Sequence, residues 1–428
     1  MSNPRANGPA NEPATDGGTE RIETQAPQAP AGALSRTTTL AGAAGAAAGV
    51  LGGAAIAYAQ DLGPFSTASP GPGEYNGGRV RFDRIGIGAE ADYENFGCDV
   101  FRENPNTPDW ATANAYFERG IHNVDIEMHD GEEVRCWAFE DELKAKGREI
   151  FPSPMIRVQE GDLVHVKLES SKGSHTIHSH GIEPTTMNDG VGHVSFEVKG
   201  DYVYQWQASS AGTYFYHCHK NTVTHFEMGL YGLLIVDPKP DPDGRVRAYK
   251  DGPHYDKEAF WVLDDIDPRW HESTDIDHDV GLCGEDAGLN IFEPKYFLLT
   301  GTPARPREVV REHRVVARNG EVVLVRLLNA AYSLLEVTIE EIEAQVISVD
   351  GRSLDKPWNG WFPVGRGEPF ILGTAQRYDL LIDPNSPANR GKTGAFRVEF
   401  AFRDWVTREV HNAGDPDYEG RIRTVIRL

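Results

Sequence analysis

The chain has 428 residues, 39% of them hydrophobic, enough for two or three ordinary globular domains that fold without covalent staples. Its 42 Lys plus Arg against 65 Asp plus Glu give a formal net charge of −23, which repels nucleic acid and anionic lipid surfaces, so no nucleic-acid partner is expected. Four cysteines, Cys98, Cys136, Cys218 and Cys283, are too few for a disulfide-dense scaffold, and none lies in a Cys-x-x-Cys pair, which excludes a zinc ribbon.

Residues 1–60 form an expected leader. Positions 2 to 35 are rich in Pro, Ala, Gly, Thr and Asn and hold few large apolar side chains, so they cannot bury enough surface to offset the entropy of ordering. From Leu40 to Ala59 the chain is uncharged and mostly Ala and Gly, follows Arg36 and closes on Ala57-Tyr58-Ala59, the pattern of a cleaved export signal. A membrane anchor and an Ala/Gly linker are the competing readings, and the low hydrophobicity disfavours permanent anchoring. Ser35-Arg36-Thr37-Thr38-Thr39-Leu40 resembles a twin-arginine export motif with a single arginine. Export to the periplasm or outside the cell is expected, with no stable membrane insertion once the leader is removed.

Short alternating runs follow, at Met155 to Val158, Leu163 to Leu168 and Gly232 to Val236, parted by turn residues at Gly161-Asp162, Lys172-Gly173, Asn188-Asp189-Gly190 and Ala211-Gly212. The polar, Pro-rich stretch from Asp237 to Gly244 marks the expected boundary between a domain at 61–238 and a second at 239–428. Strand patterns resume at Ala259 to Leu263, Val322 to Leu328, Val346 to Val349 and Tyr378 to Ile382, so the fold class is all-β, as sandwiches or barrels. Asp264 to Asp267 and Glu272 to Asp277 make a run of carboxylates for which a solvated acidic loop is expected ahead of a calcium site. Cys98 with Cys136 is the expected bridge, if one forms.

Chemistry concentrates in two short segments, Ser174-His175-Thr176-Ile177-His178-Ser179-His180-Gly181 and Tyr216-His217-Cys218-His219 continuing to His225. Imidazole and thiolate together suit copper, zinc and iron, and two His with one Cys and a weak axial ligand is the set used by copper for one-electron transfer. His175, approaching from a neighbouring strand edge, Cys218 and His225 supply that set. Strand alternation turns His178 and His180 to one side and sends His217 and His219 opposite to Cys218, so four histidines face a second metal location. The Cys218 main chain joins the two locations as an electron relay.

These segments, with His225-Phe226-Glu227-Met228-Gly229-Leu230, resemble the copper motifs of laccase-like multicopper oxidases. Arg326 to Ala330 and Gly373 to Asp379 resemble the copper-free second domain of that family. The resemblance implies two cupredoxin-like Greek-key domains, the first holding copper and the second structural. It implies type 1 copper at His175, Cys218 and His225 with Leu230 axial, and His178, His180, His217 and His219 in a type 2/type 3 cluster. Met228 is the other axial candidate, but Leu230 keeps the family's five-residue step from His225. It further implies a small-molecule or metal-ion reductant and dioxygen as partners. The loop from Cys218 to His225 is two residues longer than in laccases.

The two motifs supply only half the cluster histidines that the family uses, and His254, His271, His278, His313 and His411 in the second half form no His-x-His pair. A homo-oligomer, taken as a trimer, would pool half clusters. A nitrite-reductase-like enzyme with His180 and His217 on a shared type 2 copper, a blue-copper electron carrier and a zinc protein are the alternatives. His165 and His193 are expected to be structural, and Asp189 is expected first as a turn residue and second as a proton relay.

Overall fold

A computed structural model of the chain describes residues 113–428, apart from 114, 145, 149, 193–195, 273–290, 319 and 356–359. The expected leader, Cys98, Cys283, His193, His278 and the second part of the acidic run lie outside the described residues.

The first half begins with β1 (Ala115–Glu127), β2 (Glu133–Asp141), β3 (Ile156–Gln159) and β4 (Leu163–His175), followed by β5 (His178–His180) and the short helix α1 (Thr186–Asp189). Then come β6 (Val198–Gln207), β7 (Gly212–His217), helix α2 (Thr222–Glu227) and β8 (Tyr231–Asp237). Two four-stranded sheets result, ordered β2-β1-β4-β6 and β3-β8-β7-β5, each mixing antiparallel pairs with one parallel pair. Between them pack Phe117, Val164, Val166, Tyr204, Leu234 and Val236, and the same cluster takes in Cys218 and Leu230. Alternation along β7 explains why: Tyr214 and Tyr216 enter this core, while Phe215 turns to the opposite face.

The second half starts with β9 (Lys257–Ile266), helix α3 (Pro268–Glu272), β10 (Tyr296–Leu299), β11 (Thr302–Pro303), β12 (Val315–Val316) and β13 (Val323–Asn329). It continues through β14 (Leu334–Ile339), β15 (Glu343–Val349), β16 (Arg352–Ser353), β17 (Phe362–Gly365) and β18 (Phe370–Leu372). β19 (Arg377–Ile382), β20 (Ala395–Arg403) and β21 (Arg421–Arg427) end the chain. An eight-stranded sheet centred on β9, β13 and β19 faces a five-stranded sheet centred on β21, β20 and β14. Trp261, Leu327, Val337 and Phe400 fill the space between. Every strand run expected from the sequence overlaps one of these strands, Met155 and Val322 falling just before theirs, and the described helices are short, as an all-β pattern requires.

A third apolar cluster crosses the seam of the halves, joining Val124, Cys136, Phe215 and Tyr231 to Phe260, Val262 and Leu328. Beside it runs a chain of buried charge. Arg157 donates to both carboxylate oxygens of Asp237, at 2.6 and 2.7 Å, and to Glu258 at 2.6 Å. Arg326, fully buried, donates to Glu258 and to Thr213 Oγ1 and lies 3.6 Å from Asp379. Against the cost of burial, the two guanidinium groups hold the Glu258 carboxyl down at about 2.

One expectation is corrected. Asp264 to Asp267 do not form a solvated loop: Asp264 and Asp265 are in β9, and Asp264, Asp265 and Asp267 are buried. Burial raises the Asp264 carboxyl well above its usual range and Asp265 to about 6. The signal missed was period, since β9 is covered on both faces and a continuous buried strand carries these acids inward with it. Cys136 is a buried free thiol.

Candidate metal centre

His175, Cys218 and His225 come from three different places. His175 ends β4, in the sheet facing β7 rather than on a neighbouring strand, after a register shift between Ser170 and His175. Cys218 follows the last residue of β7, and His225 lies in α2. Cys218 Sγ stands 3.7 Å from His175 Nδ1 and 3.2 Å from His225 Nδ1. Ligands at about 2.0 and 2.3 Å from one ion stand about 3 to 4 Å apart, so a thiolate and two imidazoles fit a single metal here. Burial pushes the thiol up to about 11 and the His225 imidazole well below its usual range, so Cys218 must give up its proton to a metal while His225 is already neutral.

The lining differs on each side. Thr176 N–H donates to Cys218 Sγ at 3.5 Å, and Trp137, which the sequence reading did not single out, sets its ring edge-on to His225 at 5.4 Å and to His175 at 6.2 Å. Leu230 donates its N–H to His225 O, accepts from Cys218 N–H, and shares the apolar cluster of Cys218. Met228 lies in a different cluster, with Trp270 and Trp137. That placement favours Leu230 over Met228 for the axial side.

The second group lies one residue away along the chain on either side of Cys218. β5 pairs antiparallel with β7, setting His178 opposite His217 and His180 opposite Phe215, so all of these side chains share a face. Ring centroids are 5.2 Å apart for His178 and His217, 5.3 Å for His178 and His219, and 5.6 Å for His217 and His219. His180 Nδ1 and His217 Nε2 are 3.2 Å apart, and ligand atoms of His178, His180 and His217 all fall within 4.8 Å of one another. The outer nitrogens are set by neighbours: His217 Nδ1 donates to Cys218 O at 2.8 Å, His178 Nδ1 to Asp189 O at 2.6 Å, and His219 Nδ1 meets Thr222 Oγ1 at 3.1 Å. Such bonds orient an imidazole and leave Nε2 for a metal. Burial holds His180 down to about 3 and His217 well below the usual range, so both are neutral ligands at pH 7.

The second half also reaches this group. Phe215 stacks on His180 at 4.4 Å and on His217 at 5.1 Å, and the Arg377 guanidinium lies over Phe215 at 5.3 Å. Its charge adds to the burial that depresses His180, so the second half does more than support the first. Arg377 is 160 residues or so from the motif, a separation no local pattern bridges. His165 is buried and held to about 4, and neither it nor the second-half histidines belongs to either group among the described residues.

The multicopper oxidase family profile matches residues 124–241, the part of the chain that contains both groups. The L-ascorbate oxidase of Cucumis sativus is 36% identical over 158 residues, which cover 35% of this chain and 24% of that enzyme. A copper-containing nitrite reductase of Neisseria meningitidis is 27% identical over 285 residues, 64% of this chain and 67% of the relative. In structure, the blue copper oxidase of Nitrosomonas europaea superposes with a TM-score of 0.53 at 25% identity, over 73% of this chain and 85% of that one.

Residues 124–241 form a multicopper oxidase domain.

Multicopper oxidases are copper-dependent oxidoreductases, so copper is the metal against which these donors are to be judged, and the cupredoxin fold accounts for both pairs of sheets. The chain spans 24% of the cucumber enzyme's length, which leaves the activity of the whole protein to be argued from its own residues. One of them is Gly190. Its φ is +70°, and a Cβ there would stand 2.0 Å from Ile177 O, so the turn that brings Asp189 to His178 needs glycine. Gly190→Ala is expected to destabilise the chain by about 1 to 3 kcal/mol and to lower copper retention at the His178 group. Asp189→Ala is expected to change retention little, because the main-chain oxygen makes the short bond. Copper counts after dialysis check the contrast, and equal losses would contradict it.

Proposed function

We propose that this chain is a copper-dependent oxidase that draws single electrons from a reductant and delivers them to dioxygen. His175, Cys218 and His225 hold type 1 copper with Leu230 on the axial side, and His178, His180, His217 and His219 hold copper of the type 2/type 3 cluster. Copper, when bound, supplies the one-electron redox chemistry at both places. One observation carries the reading: the Cys218 thiol belongs to the first group, while its covalent neighbours His217 and His219 belong to the second, and the His217 Nδ1 to Cys218 O bond adds a second link. The chain's residues thereby bind, orient and keep neutral the donors of two centres joined by a few covalent bonds.

The Pro-rich stretch after Asp237 divides the two domains, and the Ala/Gly-rich leader exports the chain. A closed homotrimer supplies what four histidines lack of a full cluster. Among the described residues no helix is long and apolar enough to cross a membrane.

A nitrite-reductase-like activity is the second reading, favoured by the 3.2 Å approach of His180 to His217 and by the Neisseria relative. Oxygen uptake with a phenolic donor, run beside nitrite consumption with a reduced dye, separates the two; nitrite consumption without oxygen uptake overturns the oxidase. Leu230→Met is expected to keep the blue colour and lower the potential of the blue site, since a thioether replaces an apolar neighbour. Redox titration checks this, and an unchanged potential would remove Leu230 from the axial side.

A further inference from the structure

Apart from the two histidine groups, one imidazole faces a carboxylate at the seam of the halves. His271, on α3, has Nδ1 2.7 Å from Arg135 O, so Nδ1 carries a proton, and in the neutral imidazole Nε2 keeps its lone pair. That Nε2 lies 3.5 Å from Glu227 Oε1, and the two side chains are 2% and 1% exposed. Neither His271 Nε2 nor Glu227 Oε2 has a hydrogen-bond partner. An imidazole that donates its other N–H to a main-chain carbonyl is oriented as metal ligands are. A lone pair set against a carboxylate oxygen is repulsive unless a proton or a cation stands between them.

The surroundings favour a cation. Asp264 and Asp265 are buried nearby, bonded to Tyr231 and Ser333, and neither pairs with a Lys or Arg among the described residues. Buried carboxylates left without a positive partner are costly. A pocket of about 290 Å³, lined by His271, Asp125, Glu133, Arg135 and Glu272, lies beside this place and has a mostly acidic rim. The 3.5 Å between nitrogen and oxygen is the span of two ligands each about 2.1 Å from a shared ion.

We propose that His271 Nε2 and Glu227 hold one borderline divalent cation of the zinc kind, with water completing its shell. A nitrogen and a carboxylate suit such an ion better than they suit calcium or magnesium. The ion replaces a proton shared by the pair, so uptake releases protons.

Copper-saturated protein dialysed against zinc ion tests it, with both metals counted in one sample. About one zinc per chain beyond copper is expected, with proton release in unbuffered solution. Glu227→Gln and His271→Gln are each expected to lose that zinc while circular dichroism shows the fold retained, and either variant alone suffices. No zinc beyond copper in the unaltered chain overturns the site, whatever the variants do. Uptake that survives both substitutions overturns it too, as does uptake lost on His178→Ala, which would place the zinc among the copper-binding imidazoles. Absence of blue copper in the same sample counts against the oxidase and leaves the zinc count readable.

Discussion

His217→Ala is expected to lower oxygen uptake by roughly a thousandfold or more, the scale of removing one member of a catalytic unit, while the blue colour of the chain remains. His217 touches every other member of its group: its ring centroid lies 5.2 Å from His178, 5.5 Å from His180 and 5.6 Å from His219. Phe215 and Phe226 pack on it, so no other side chain can swing into its place without displacing buried aromatic surface. Its imidazole points away from the Cys218 thiol, which keeps its own two histidine neighbours. Oxygen-electrode rates recorded beside the visible spectrum separate the two groups. Loss of colour with loss of activity would show that His217 supports the thiol site, and uptake at the normal rate would place dioxygen elsewhere.

The second large effect concerns stability. Arg326→Met removes the fully buried guanidinium that donates to Glu258 and Thr213 and neutralises Asp379. Glu258 would keep Arg157, but Asp379 would be left buried without a cation, and breaking a buried charge network from one side costs about 3 to 5 kcal/mol. The midpoint of thermal unfolding is expected to fall by several degrees. Asp379→Asn in the same chain should restore part of the loss, because the stranded charge goes with it. A midpoint within a degree of the unaltered chain would mean that the network carries no net stability.

The sequence made the strands and the two histidine groups legible because both depend on short-range spacing. Alternation along Tyr214 to His219 decides which residues face the sandwich core with Cys218 and which face the seam with His217. Features carried by distant segments stayed hidden. Trp137 reaches the thiol site from β2, and Arg377 reaches Phe215 from β19. The acids of β9 were misplaced for a related reason, since their charge signals solvent while the sheet around them excludes it. His271 gave no signal at all: its role as an oriented imidazole depends on Arg135 O and Glu227, neither of them near it in the chain.

The measurement that bears most directly on the central claim is copper per chain together with the visible and EPR spectra of the copper-loaded protein, compared with Cys218→Ser. Two centres built around one cysteine predict more than one copper per chain, an intense blue thiolate-to-copper absorption that the serine variant loses, and retention of the copper bound by His178, His180, His217 and His219. A colourless unaltered chain would contradict the account at its first group, and a single copper that departs with the thiol would contradict it at the second.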